Sequence, residues 1–134
     1  MLTSIFKHSP LFVVENLLMG MEERGLSLES FLESVELQFS RVEKWTEKLE
    51  AISVPGCELV GQVRTLGLEG TNLMMESLES IYELASENQI EAMGDEIATL
   101  EEGHDLVLQS LTVCRKTLEE DANALVDSFG GYMT

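Results

Sequence analysis

The stretch that decides the fold is residues 27–52, SLESFLESVELQFSRVEKWTEKLEAI. Its apolar residues recur every three or four positions, which is the spacing of one face of an α-helix. Ser27 is a favourable N-cap, and Pro55 ends the pattern because proline has no N–H to donate to a helix. The stretch therefore predicts a long amphipathic helix, whose apolar face needs other helices to cover it. That face consists of Leu28, Phe31, Leu32, Val35, Phe39, Val42, Trp45, Leu49 and Ile52.

Two further helices are expected, one before this stretch and one after it. Ser9 and Pro10 are typical of a helix start, and Gly25 suits a left-handed stop after about Arg24. The helix between them is apolar on nearly every side, so it needs cover in more than one direction. The next helix is predicted from about residue 57 to residue 86. Either it breaks near residues 67–71, or its glycines allow another helix to approach closely.

The last predicted helix runs to about Phe129. Asn88 is the expected N-cap, with Glu91 at the third helical position as in a capping box. A helix of about 40 residues would be about 60 Å long, so a kink at Gly94 or Gly103, or extension into a dimer, is expected. Two apolar columns mark its buried face: Ile90, Ile97, His104, Leu111, Leu118 and Leu125, and Met93, Leu100, Val107 and Cys114.

Together these segments predict an all-α antiparallel bundle with a short apolar N-terminal helix and three long amphipathic helices. Residues 1–134 are expected to form one domain, with residues 1–8 and 130–134 as flexible ends. The first helix either fills one end of the core or seals a homodimer. We favour a homodimer formed through the first helix and the uncovered part of the last helix, with an apolar interface of Leu11, Phe12, Leu18 and Met19.

The chain has 25 acidic and 8 basic residues and a net charge of −17. This charge disfavours binding to nucleic acid or to an anionic lipid surface, because both need a basic protein surface. The longest apolar region, residues 11–21, is too short to span a membrane. A cytoplasmic protein with two reduced cysteines is expected. If the chain folds back at Asn88, Cys57 and Cys114 are offset by about 7.5 Å, so a disulfide is conceivable but not expected.

The acidic residues are concentrated in one part of the chain. Between Arg64 and Arg115 there is no Lys or Arg in 50 positions, while the same stretch contains 11 acidic residues. This stretch predicts either a solvated surface or a docking surface for a basic protein partner, attracted by the negative field. The residues expected to make that contact, called the acidic tip below, are Glu83, Glu87, Glu91, Asp95 and Glu96.

Glu101 and His104 have the E-x-x-H spacing that places a carboxylate and an imidazole on one helix face. The pair resembles one element of ferritin-like di-iron bundles, which use this motif on two helices together with a Glu on each of two others. The only other histidine, His8, has Ile5 three residues before it, so the second half of such a site is missing. His104 is therefore a weak metal candidate, a weak candidate for a pH switch, or a polar residue within a core.

No catalytic residue is predicted, since the chain contains no glycine-rich phosphate loop, no G-x-S-x-G motif and no paired histidines. No cofactor is predicted. The sequence favours a non-enzymatic interaction module, which could be an adaptor, chaperone-like or regulatory. Small acidic secretion chaperones of bacteria look similar in size and charge, but no motif extends that similarity. The alternative is a metal- or small-ligand-binding bundle that uses Glu101 and His104.

Overall fold

The computed structural model describes residues 9–52 and 58–129, with side chains described as far as residue 113. Its helices are α1 (Pro10–Glu23), α2 (Leu28–Ala51), α3 (Glu58–Ser86) and α4 (Gly94–Phe129), with a 3-10 turn at Ile90–Ala92. The described residues include no strand, so the predicted all-α bundle is confirmed. The predictions for residues 1–8 and 130–134, and for the side chains of Cys57 and Cys114, lie outside this part of the chain.

The first two helices begin and end as their sequences predict, with one exception. Gly25 has a φ of +67° directly after α1, where a residue without Cβ is favoured. The side chain of Ser27 caps α2 by accepting a 3.1 Å hydrogen bond from the N–H of Ser30. Ser9 precedes α1 as expected, but its side chain makes no capping bond and instead contacts His104. The side chain of Ser9, which the local sequence predicts to be a helix cap, thus makes a tertiary contact instead.

Helices α3 and α4 cross at two glycines, and α3 runs without a break through the crossing. A Cβ added to Gly70 would lie 2.7 Å from the carbonyl oxygen of Gly103, and one added to Gly103 would lie 2.7 Å from the oxygen of Gly70. Nearby, the hydroxyl of Ser110 donates a 2.9 Å hydrogen bond to the carbonyl of Val63. Of the two alternatives for the glycines of α3, close helix approach is the correct one. Helix α4 is also continuous through Gly103.

The connection between α3 and α4 differs from its prediction. Asn88 is not an N-cap: its φ is +60°, and its N–H bonds to the carbonyl of Ala85 at 3.0 Å, so it ends α3. A left-handed asparagine is a common way to stop a helix, because its short polar side chain tolerates that conformation. The chain then makes the 3-10 turn that contains Glu91, and α4 begins only at Gly94. The predicted capping box is therefore wrong.

Helix α3 lies at the centre of the bundle, with extensive contacts to α2 and α4, whereas α1 makes smaller contacts with α2 and α4. Helix α4 has 36 residues, which corresponds to about 54 Å. The pairing of Gly70 with Gly103 places the start of α3 near residue 115, so α4 continues beyond it. No helix in the described part of the chain is long and apolar enough to cross a membrane. The buried core consists of Leu11, Val14, Phe31, Val35, Val42, Met74, Leu78, Ile81, Ala85, Met93, Leu100 and Val107.

Candidate functional site

The acidic tip is formed where α3 ends and α4 begins. Glu83 and Glu87 are exposed at the end of α3, and Glu91 is exposed in the 3-10 turn. Asp95 is exposed and Glu96 is half-buried in the first turn of α4. The structure thus brings the five sequence-predicted residues to one end of the helix pair, because the chain reverses direction between them.

The two ends of the acidic tip differ in their electrostatic setting. Asp95 and Glu96 lie at a helix N-terminus, where the partial positive charge of the backbone stabilises carboxylates. Glu83 and Glu87 lie at the opposite kind of end, where the backbone carries partial negative charge, and the last turn of α3 has no basic residue. The carboxylates at the end of α3 therefore oppose the stability of their own helix, by about 0.3–1 kcal/mol for each charge near an exposed terminus.

Glu96 borders a small cleft between α3 and α4. Its Oε2 atom is buried and has no hydrogen-bond partner among the described atoms. The cleft has a volume of about 120 Å³, which is room for a water molecule to satisfy that oxygen. The described side chains contain no group of three or more His, Cys, Asp or Glu residues that could hold a metal ion. The cleft is lined by Glu76, Ser77, Ser80, Asp95, Glu96 and Thr99.

His104 lies in a buried contact between α4 and the start of α1. Its side chain is only 7% exposed, and Nδ1 lies 2.6 Å from the hydroxyl oxygen of Ser9. The ring of Phe12 packs edge-on against the imidazole, with the ring centres 5.2 Å apart. Glu101, by contrast, is exposed. The two residues of the E-x-x-H motif therefore have different surroundings. The imidazole of His104 joins α4 to α1 through its contacts with Ser9 and Phe12.

Replacing Ser9 with alanine should lower the free energy of unfolding by about 1–3 kcal/mol, because Nδ1 of His104 would lose its buried partner. Chemical denaturation followed by circular dichroism measures the change. Ser40→Ala, at an exposed position in α2, is the matched control and should change stability by less than about 0.5 kcal/mol. Equal effects of the two substitutions would contradict a stabilising role for the contact.

The four residues of the predicted apolar interface have different surroundings. Leu11 is buried in the core at 5% exposure, and Leu18 is partly buried against that core. Phe12 and Met19 are 41% and 48% exposed. Because they are seven residues apart, both lie on the same outer face of α1. Phe12 and Met19 are thus the large apolar side chains that this helix exposes to solvent, and Glu15 and Asn16 lie exposed between them.

A groove between α2 and α3 was not predicted from the sequence. Its volume is about 430 Å³, and its lining combines apolar and acidic side chains. The sequence carries no signal for it, because each helix pattern alone shows a buried stripe and an exposed face without showing how two helices pair. This groove, called the acidic groove below, is lined by Val35, Glu36, Phe39, Glu79, Tyr82 and Glu83.

Comparison with known proteins identified no similar protein. A scan against protein-family models finds no match, and neither do searches of curated proteins and of solved structures.

Proposed function

We propose that this protein is a non-enzymatic acidic interaction module, an adaptor, chaperone-like or regulatory protein of the cytoplasm, that binds a basic protein partner through the acidic tip. The observation that carries the proposal is the placement of Glu83 and Glu87 at the C-terminal end of α3, exposed and without a basic residue in that turn. These charges weaken their own helix. A role in binding gives a reason for them that folding does not.

The local imbalance of charge supports the same proposal. Eleven acidic residues and no Lys or Arg lie between Arg64 and Arg115, and that stretch includes the whole acidic tip. Surface charges act over about 8–10 Å at ordinary salt concentrations, so neighbouring tip carboxylates reinforce one another. Such a field accelerates encounter with a positively charged protein and disfavours negatively charged partners.

The proposal includes a homodimer formed through α1. Phe12 and Met19 supply the exposed apolar surface on this helix, and α4 continues past the start of α3. The alternative function, a metal- or small-ligand-binding bundle, draws no support from its two residues. His104 already contacts Ser9 through Nδ1, and Glu101 is exposed to solvent.

Neutralising the tip should weaken the binding of a basic peptide. The variant is Glu87→Gln with Glu91→Gln and Asp95→Asn; Glu96 is left because it is half-buried, and Glu83 because it also lines the acidic groove. The probe is a fluorescent, unstructured lysine-rich peptide, and fluorescence anisotropy measures its affinity. Loss of three exposed charge pairs should reduce affinity about tenfold at about 50 mM NaCl and much less at about 300 mM.

The matched control removes the same number of charges from the exposed side of α2, through Glu33→Gln, Glu43→Gln and Glu47→Gln. It should change the affinity by less than about twofold, because these positions lie outside the tip. Equal weakening by both variants would refute a specific role for the tip, as would an affinity that is the same at both salt concentrations. Sedimentation equilibrium on the unmodified chain tests the dimer, whose mass should be twice 14.9 kDa.

A further inference from the structure

The acidic groove combines an apolar floor with an acidic rim. Val35 is 1% exposed and lies at its base, while Phe39 is partly buried beside it. Tyr82 is 37% exposed, so much of this large ring faces solvent along the groove. An apolar cleft of about 430 Å³ has room for several side chains of a partner. The groove therefore offers apolar contact on its floor as well as charge on its rim.

The rim of the groove is negatively charged on both sides. Glu79 and Glu83 are four residues apart, so they form a row along one face of α3. Glu36 lies on the α2 side, and no Lys or Arg is part of the lining. Like charges four residues apart repel each other within a helix. A cation that binds between the two helices would relieve this repulsion on both sides.

We propose that the acidic groove binds a basic amphipathic helix of another protein. Its apolar side chains would pack on Phe39 and Tyr82, and its Lys or Arg side chains would pair with Glu36, Glu79 and Glu83. This arrangement follows the general way in which an amphipathic helix lies in an apolar groove. The proposal rests on the proposed function, since it identifies the class of basic partner, and it adds a second contact surface on α3.

Charge complementarity favours a basic amphipathic helix over the other molecules that could occupy the groove. A second copy of the chain carries a net charge of −17 and would bring further carboxylates to an already acidic rim. Nucleic acid and anionic lipid are repelled in the same way. A neutral apolar helix would fit the floor but would leave the three rim carboxylates unpaired. A helix with both an apolar and a basic face satisfies the floor and the rim together.

The test uses two synthetic peptides of identical composition. The first is a leucine–lysine peptide of about 14 residues, roughly 21 Å as a helix, with leucine on one face and lysine on the other. The second is a scrambled version with the same charge and no apolar face. Fluorescence anisotropy with the full chain should show that the amphipathic peptide binds at least about tenfold more tightly than the scrambled one, since only the first can use the floor.

The groove variant is Glu36→Gln with Glu79→Gln and Tyr82→Ala, all at exposed positions, so the core is left intact. The control variant is Glu33→Gln with Glu47→Gln and Leu37→Ala, which removes the same charge and an exposed apolar side chain outside the groove. Circular dichroism checks that both remain helical. The groove variant should lower affinity for the amphipathic peptide about tenfold, and the control less than about twofold.

Three results would overturn the groove proposal. The first is that the groove and control variants lower the affinity for the amphipathic peptide equally, and the second is that the unmodified chain binds the two peptides equally well. The third is a dimer that dissociates in the groove variant, which would show that a second copy occupies the groove. The proposed function is tested separately, because the scrambled peptide depends on charge alone and Glu87, Glu91 and Asp95 lie outside the groove. If the tip variant binds the scrambled peptide with unchanged affinity, the proposed role of the acidic tip is refuted and the groove proposal is not.

Discussion

Replacing Gly70 with alanine should lower the free energy of unfolding by about 1–3 kcal/mol or more. The new Cβ would lie 2.7 Å from the carbonyl oxygen of Gly103 and 2.9 Å from the backbone nitrogen of Val107. Both are backbone atoms, so no side-chain rotation relieves the overlap, and α3 and α4 must move apart. Gly103→Ala should have a similar effect, because its Cβ would meet the oxygen of Gly70. Urea unfolding followed by circular dichroism measures both changes.

Gly61→Ala is the matched control for this prediction. Gly61 lies in the same helix, and an added Cβ there would have no atom within 4 Å. Alanine favours helix over glycine by up to about 1 kcal/mol, so this variant should be slightly more stable than the unmodified chain. If Gly70→Ala were also stabilising, the close crossing of α3 and α4 would be refuted.

Replacing Leu78 with alanine should cost about 2–5 kcal/mol, because it removes a fully buried side chain and leaves a cavity. Leu78 is 0% exposed and lies in α3, at the centre of the bundle. A loss of this size is a large part of the total stability of an ordinary small domain. Thermal and urea unfolding should therefore both show a marked decrease in stability.

Leu37→Ala makes the same chemical change at a position that is 61% exposed. It should alter stability by no more than about 0.5 kcal/mol, since little apolar surface returns to water. Comparable losses at Leu37 and Leu78 would contradict the placement of α3 at the centre of the core. The comparison is informative because chemistry is constant and only burial differs.

Both proposed binding surfaces depend on α3. Its last turns supply Glu83 to the acidic tip, with Glu87 directly after Ser86, and they supply Glu79, Tyr82 and Glu83 to the acidic groove. The buried face of the same helix carries Leu78 and Ile81. Because helix residues three and four apart share a face, one segment can serve the core on one side and binding on the other.

The helices themselves were predictable from local chemistry. The apolar spacing after Ser27 predicts α2, and Gly25 ends the preceding segment through its left-handed conformation. The prediction that Met93, Leu100 and Val107 form a buried column is confirmed. Periodicity and turn residues act over a few positions along the chain, so they can be read without knowing which helices meet.

Asn88 shows the limit of such local reasoning. Asparagine is favourable both as an N-cap and as a left-handed residue that ends a helix, and the sequence around it does not distinguish the two. In the structure it ends α3, and α4 starts six residues later at Gly94. The residues of the acidic tip still lie at one end of the helix pair, because the chain reverses direction between Glu87 and Asp95.

The sequence by itself determined the class of fold, the approximate extent of each helix and the strong negative charge between Arg64 and Arg115. Only the tertiary structure decided that Gly70 meets Gly103, that Ser9 contacts His104 instead of capping α1, and that α2 and α3 enclose an acidic groove. The physical reason is that each of these features joins residues on different helices. Their contacts depend on the register and distance between helices, which the packing of the whole core sets and which no short stretch encodes.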